Sequence, residues 1–322
     1  MYQMKNLTKL IVLILFFINP LYATDVYKMA FGSCLHQNYP APIWSAIKNN
    51  NINSFFFLGD NIYGDTSSGL PWKLKSSYEL QKKAIPSWLK SIELYSIWDD
   101  HDYGKNNAGA DYKFKQKAEE LYFDFWNIPS NDERRSRPGI YYASVKKIHN
   151  NKVLIVGLDT RYFRSNIQEV KGVYLPNLEP SATILGSEQW TWLKRTLEID
   201  HDLLVLASSI QVIPTEHRFE KWFNIPAERD KLLQLLVNHS APTLILSGDR
   251  HRGGIYQYEN ILEVTSSSLN RNSSENGETD AFLLGQTYTQ NNFGLLTISI
   301  DSLTVELIDK NNNTLESATI SF

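Results

Sequence analysis

The sequence predicts an α/β layered protein, on three observations. Short apolar runs of strand length recur along the chain, each ending in a polar cluster. Helical patterns lie between those runs. Beyond residue 292 the pattern changes to alternation in period two, with no helix interposed. Strands alternating with helices build layered α/β sheets, whereas a run of period-two segments builds antiparallel strands.

The elements follow in order. "VYKMAFGSC", "NSFFFLGDNIYGD", "LYSIWDDHD", "KVLIVGLDTR", "DLLVLASSIQV" and "TLILSGDRH" are the strand-like runs. Continuous apolar runs this short fit strands buried on both faces. "APIWSAIKNN" and "YKFKQKAEELYFDFW" carry helical patterns. "SEQWTWLKRTLE" places Trp190, Leu193 and Leu197 on one face and is predicted to take Ser187 as its N-cap. "PAERDKLLQLLVNH" opens with proline and has Glu228 and Asp230 near its start, as helix N-termini prefer. "FGLLTISIDSLTVELIDKNNNTLESATISF" reads as antiparallel strands with a polar turn at Asn311 to Asn313, at a sheet edge or in a second sheet. "SSSLNRNSSENGETD" is polar and reads as a surface loop. No repeat or linker divides the chain, so residues 24–322 read as one domain.

With 322 residues, 42% hydrophobic and 21% charged, the chain can bury a sizeable core. Its formal net charge of −3 supplies no attraction for nucleic acid or an anionic membrane. Residues 1–23 read as a secretory signal peptide: Lys5 and Lys9, an apolar core from Leu10 to Ile18, Asn19-Pro20, and a small residue at Ala23. The apolar core is short for a bilayer span, which weighs against an uncleaved anchor. The mature chain is therefore expected to begin near Thr24, to work in the periplasm or outside the cell, and to contain no transmembrane segment. Cys34 is the sole cysteine, so no internal disulfide forms, and taken alone it reads as buried and inert.

The polar clusters share one position. In α/β sheets, binding groups gather beyond the carboxyl ends of strands. Cys34, Asp60 with Tyr63, the Asp99-Asp100-His101-Asp102 run, Asp159-Thr160-Arg161 and Asp249-Arg250-His251 all fall at such ends. Acids, thiol, phenol and imidazole brought together repel or are desolvated unless something binds them, and metal cations are the natural solution. Thiolate, phenolate and imidazole favour a transition metal, while oxygen ligands suit a hard cation, so two unlike metals are expected with Asp60 between them. Such a pair activates a water or hydroxide and braces phosphate in an in-line displacement. That leaves His101 as proton donor to the leaving oxygen and Arg161 as a fork on the phosphate. Each feature alone has a plainer reading, as a turn, a surface histidine, or an Asp159–Arg161 pair. Their repetition at successive strand ends carries the argument. His36, His149, His201 and His239 take the plain reading.

"GSC", "FLGDNIYGDT", "WDDHDYGKNNAG", "LDTRYFR", "LGSEQWTWL", "SSIQVIPTEHRFEKWFNIPAERDKLL", "LSGDRH" and "VTSSSL" resemble, in that order, the alkaline phosphatase D-like (PhoD-like) metallophosphatases of the calcineurin-like metallophosphoesterase superfamily. The resemblance runs from about Lys28 to the final strands. It implies a four-layer αββα sandwich of two mixed sheets flanked by helices. It also implies a dinuclear centre, with iron, Fe(3+), held by Cys34, Asp60, Tyr63, Asp249 and His251. Calcium or another divalent cation would be the second metal, with Asp60 bridging and Asp100 a ligand. His101 falls where the superfamily has its acid histidine, and Arg161 in the family's "LDTR". Gln211 falls near a place where many members have a further histidine ligand. His217 and Asn61 are expected near the substrate or the ligands. "GSC" replaces the Asp-x-His opening of ordinary superfamily members, which gives Cys34 its purpose. The signal peptide leads almost directly into the first catalytic strand, so the extra N-terminal domain of some longer relatives is not expected.

The expected function is thus an exported, metal-dependent phosphatase acting on small phosphate esters or phospholipids. A phosphodiesterase or phospholipase C-type enzyme on the same centre is the nearest alternative. A binding protein that keeps the metals without turnover is a further one. A serine hydrolase is disfavoured, because Asn61 stands where a Gly-Asp-Ser motif would need its nucleophile.

Overall fold

The computed structural model describes residues 26–273 and 277–321, so the expected signal peptide lies outside the described residues. The first third contains β1 (Tyr27–Gly32), α1 (Ile43–Asn49), β2 (Ser54–Leu58), α2 (Trp72–Ala84), β3 (Glu93–Ile97), α3 (Asp100–Tyr103) and α4 (Lys115–Phe125). Then come β4 (Tyr142–Ile148), β5 (Asn151–Gly157), β6 (Gln168–Val170), β7 (Val173–Leu175), α5 (Gly186–Thr196), β8 (Leu203–Ser208) and α6 (Pro226–Val237). The rest is strands: β9 (Thr243–Ser247), β10 (Gly253–Tyr258), β11 (Ile261–Ser266), β12 (Leu283–Tyr288), β13 (Asn292–Ile298), β14 (Ser302–Asp309) and β15 (Thr314–Ser321).

Two mixed sheets result, ordered β15-β14-β13-β1-β2-β3 and β12-β10-β11-β9-β8-β5-β4, with β6 and β7 paired separately. The strand-like runs are parallel neighbours within each sheet, β1-β2-β3 in one and β5-β8-β9 in the other. Side chains alternate between two cores, as pleated strands require. Phe56 and Leu58 of β2 enter the core between the sheets, while Phe55 and Phe57 pack outward with Trp44 and Ile47 of α1. On the second sheet, Val205 and Ala207 point inward, while Leu204 and Leu206 pack outward with Leu193 of α5 and Leu232 of α6. Helix, sheet, sheet, helix is the four-layer sandwich, and both-face burial explains the unbroken apolar runs.

Two expectations need correction, and a third is resolved. Helix α5 starts at Gly186 with Leu185 as its cap residue, and Ser187 lies inside it. Thr183 does the work expected of Ser187, its Oγ1 accepting from the Gly186 amide at 2.8 Å. The period-two tail takes the sheet-edge placement of its two expected ones: β13 pairs antiparallel to β1 and β15 is the edge strand of the first sheet. The start of the polar stretch after "VT" is not a surface loop, since Ser267 and Ser268 are fully buried. That segment ties the two sheets together at their carboxyl ends: the Ser33 amide donates to Ser266 O and the Leu269 amide to Ser33 O.

Candidate metal centre

The two Gly-Asp pairs do the same physical job. A Cβ on Gly59 would lie 2.6 Å from Cβ of Asp99, and one on Gly248 would lie 2.5 Å from Oγ of Ser33. Only glycine lets each strand end approach its neighbour so closely. The aspartate that follows is then forced into left-handed backbone, with φ of 50° at Asp60 and 68° at Asp249. Cys34 (59°) and His251 (53°) share that conformation. It costs a non-glycine residue roughly 1–2 kcal/mol, and such strain persists where the surroundings impose it. Four expected ligands on strained backbone mark this end of the sandwich as a built site.

The side chains interlock. Ligand atoms of Cys34, Asp60 and His251 lie within 4.8 Å of one another. The same holds for Asp60, Asp100 and His101, and for Asp99, Asp100 and Asp249. Asp60 thus belongs to two clusters, and so does Asp100. Oδ2 of Asp60 is 3.6 Å from Sγ of Cys34 and accepts from the Tyr63 hydroxyl at 3.1 Å. That hydroxyl is 3.2 Å from Nε2 of His251. Residues from both sheets therefore meet at one point, with Cys34, Asp60 and Asp100 following β1, β2 and β3, and Asp249 and His251 following β9.

The donor set fits cations. Oδ1 of Asp60, Oδ1 of Asp100 and Oδ2 of Asp99 are buried and accept no hydrogen bond among the described residues. Orphaned carboxylate oxygens are costly and rare in native interiors. Burial pushes the carboxyls of Asp60 and Asp249 well above the usual range. It does the same to the Cys34 thiol and the Tyr63 phenol, with the Asp60 charge adding to both. His251 moves down to about 3, through burial and then the charges of Arg271 and His101, so its imidazole stays neutral with a lone pair to give. Without a cation, burial favours the protonated forms of Asp60, Asp249, Cys34 and Tyr63, and a bound cation inverts that preference.

His101 is set apart by its proton. Its Nδ1 is 2.7 Å from Oδ1 of Asp65, and its ring lies 4.2 Å from that of Tyr63. Burial pulls its pKa down, but the carboxylates of Asp100, Asp60 and Asp65 outweigh that and raise it to about 10. The imidazole carries its proton at the edge of a cavity of about 550 Å³ that also exposes Asp60, Asp100, Asp249 and His251.

The structure places four other expected residues as follows. Arg161 does not reach this cavity: it is fully buried, with Nε donating to Asp99 at 2.6 Å and Nη1 to Glu220 at 2.7 Å. Its Nε and Nη1 are taken by protein carboxylates, and Nη2 lies 2.6 Å from Asp99 as an ion pair without a hydrogen bond, so the structure places it beside Asp99 and Glu220. Asn61 donates to Ile97 O and to Asp102 Oδ2, bracing the turn beneath the ligands. Gln211 donates to Thr265 at 2.7 Å, and its buried Oε1 has no hydrogen-bond partner among the described residues. Both ring nitrogens of His217 are buried without a partner among the described residues, and the cavity wall is formed by its neighbours Arg218 and Phe219.

Sequence reasoning missed part of the wall. The β6–β7 hairpin turns at Lys171-Gly172 and presents Glu169 and Tyr174 to the cavity. Val170, Val173 and Leu175 lie on its other, exposed face. Alternation around Lys-Gly was the available signal. Arg271 also lines the cavity, from the stretch read as a surface loop.

Comparison with known proteins agrees with this geometry. No curated protein matches the sequence. A solved structure of PhoD superposes with a TM-score of 0.68 at 16% identity, covering 92% of this chain and 68% of that one. GAP50, the anchor in the inner membrane complex of Plasmodium, gives 0.64 at 12% identity, covering 92% and 89%. Purple acid phosphatase PPD1 from yellow lupin (Lupinus luteus) seeds also gives 0.64 at 12% identity, covering 92% of this chain and 54% of that one. At these identities the likeness establishes a metallophosphoesterase-type fold. The sequence of residues 88–293, more than half of the chain, matches the PhoD-like phosphatases. The chain belongs to the PhoD-like phosphatase family and is a metal-dependent phosphoric ester hydrolase.

Proposed function

We propose that this chain is an exported phosphatase that hydrolyses phosphate monoesters at a centre of two unlike cations. The observation that carries this reading is the interlocking of three ligand clusters through Asp60 and Asp100, with an orphaned oxygen on each of Asp60, Asp99 and Asp100. Cys34, Asp60, Tyr63, Asp249 and His251 would hold iron, whose preference for thiolate, phenolate and imidazole they match. Asp60, Asp99 and Asp100 would hold calcium or another divalent cation, as oxygen donors do. When bound, the cations supply charge for the phosphoryl oxygens and activate the attacking water. His101, charged and oriented by Asp65, gives its proton to the leaving alkoxide or phenoxide oxygen. Asp99, held by Arg161 and by the Ser209 hydroxyl, keeps its second oxygen turned away from both. Residues 1–23 would direct export, and N-terminal sequencing of secreted protein is expected to begin at Thr24.

A diesterase reading has one observation in its favour. A neighbouring cavity of about 400 Å³ shares Asn106 and Asn107 with the active-site cavity, leaving room for a second ester group. Hydrolysis of p-nitrophenyl phosphate beside its bis-ester separates the two, with Asp249→Asn as control. Monoester cleavage that disappears in the control and on chelation is the expected result. Faster bis-ester cleavage transfers the assignment to the diesterase, and no cleavage of either by metal-loaded protein leaves a binding protein.

Iron bound by the Tyr63 phenolate should give a broad visible absorption. Tyr63→Phe is expected to bleach it, and an unchanged band in that variant would remove Tyr63 from the ligand set. Cys34→Ser should lower iron content more than it lowers the melting temperature.

A further inference from the structure

We propose that Arg271 is the residue that grips the substrate phosphoryl group, and that it tunes this site toward monoesters. The inference rests on the hydrolytic reading of the same cavity.

Arg218, Arg250 and Arg271 line the cavity, and Arg218 is already engaged with other protein groups, its guanidinium 4.8 Å from the Phe219 ring centroid. Phosphate recognition by a planar fork needs a guanidinium that faces the cavity and whose donors are not already committed. Arg161 is fully buried, does not line the cavity and is ion-paired with Asp99 and Glu220. Arg250 lines the cavity, but it is ion-paired with Glu278 and lies 4.1 Å from the Phe219 ring centroid. Arg271 lines the cavity with its guanidinium carbon 4.3 Å from the centroid of the Tyr63 ring. Among the described residues its contact is with that π face, and no carboxylate pairs with it. A ring face stabilises a guanidinium without occupying its N–H groups, so the fork stays open for an anion.

The position is also prepared. The preceding residue, Asn270, is clamped to the turn after β1: its Oδ1 accepts from the His36 amide at 2.6 Å. Its Nδ2 donates to His36 O at 2.9 Å and to Tyr39 O at 3.1 Å. Two residues beyond Arg271, the Ser273 amide donates to His251 O at 2.9 Å. The backbone is thus pinned on both sides, once to the Cys34 loop and once to a candidate ligand. A guanidinium held this way loses little entropy when it takes up an anion. The Tyr63 hydroxyl, at the far end of the ring that Arg271 covers, sits within the ligand cluster, so the fork stands beside the place where phosphorus would be attacked.

Ester chemistry supplies the selectivity. A phosphate monoester has three non-bridging oxygens and two negative charges at neutral to alkaline pH; a diester has two such oxygens and one charge. With one non-bridging oxygen engaged elsewhere in the site, the monoester leaves two for the fork and the diester one, and the monoester also carries the greater charge, so the fork gains more from the monoester.

The test compares wild type, Arg271→Lys and Arg271→Gln, all metal-loaded, on p-nitrophenyl phosphate and its bis-ester, with calorimetric titration of inorganic phosphate alongside. Arg271→Gln is expected to lose about 100-fold in kcat/KM on the monoester and under about fivefold on the bis-ester, and to bind phosphate at least about tenfold more weakly. Arg271→Lys, which keeps the charge but not the fork, should recover only part of either loss. Equal losses on both esters would mean that Arg271 merely props Tyr63, and would overturn the proposal; so would unchanged phosphate affinity. If wild type cleaves neither ester, the hydrolytic reading fails, and the phosphate titration still decides whether Arg271 holds the anion.

Discussion

Asp60→Asn is expected to lower monoester hydrolysis by at least about 10³-fold, while making the metal-free protein more stable than wild type. Both halves follow from one carboxylate. Asp60 is shared by two ligand clusters, and one of its oxygens meets the Cys34 thiol and the Tyr63 phenol while the other has no partner. Asparagine keeps the shape but removes the charge that would join two cations, and electrostatic contributions of this kind are among the largest in catalysis. In the empty protein that charge is a burden. Asp60 is fully buried, and its carboxyl is pushed up first by burial and then by Asp100, Asp99 and Asp102, although His101 opposes them. Removing a buried, poorly compensated acid relieves about 1–2 kcal/mol. Kinetics on loaded protein and thermal melts on chelated protein read the two effects separately. Activity within tenfold of wild type would show that Asp60 is not shared between cations.

The second large effect concerns stability. Arg161→Met is expected to destabilise the fold by about 3–5 kcal/mol, as removing one partner from a buried ionic network does. Arg161 is completely enclosed and holds Asp99 and Glu220 together, with Arg164 3.0 Å from the other oxygen of Glu220. Without Arg161, Asp99 retains a hydroxyl donor from Ser209 but no cation. Urea unfolding of metal-free protein measures the loss, where substrate contacts play no part. A variant with wild-type stability and only a raised KM would return Arg161 to the phosphate-gripping role that its sequence position suggests.

The contrast between Arg161 and Arg271 shows what the sequence could disclose. An arginine at a strand end looks the same whether its acceptor is a substrate or a buried carboxylate. The acceptors of Arg161 lie 62 and 59 residues away in the chain. Arg271 was hidden because its placement depends on Asn270 reaching back 234 residues to His36. The candidate ligands stand out in the sequence for the opposite reason. Strands buried on both faces give unbroken apolar runs, and glycine at their ends leaves room for the neighbouring strand end. Half-buried elements left weaker marks: in β4 ("YASVKKI") polar and apolar residues mix, and helix α2 ("WKLKSSYELQKKA") carries too many polar residues for its buried face to stand out.

The candidate ligands come from two different sheets, and that has a consequence for the chain as a polymer. A cation held at once by Cys34 and His251 would close a loop containing most of the domain, and loop closure removes conformational freedom from the unfolded chain. The bound ion then acts as a bolt through both sheets, at the end where only a few backbone hydrogen bonds otherwise join them. Amide exchange at the carboxyl ends of β1 and β11 should accelerate on chelation well before the buried centres of those strands respond. A protein built this way couples its persistence to its metal supply: where the ions run short, it loses its fastener together with its chemistry.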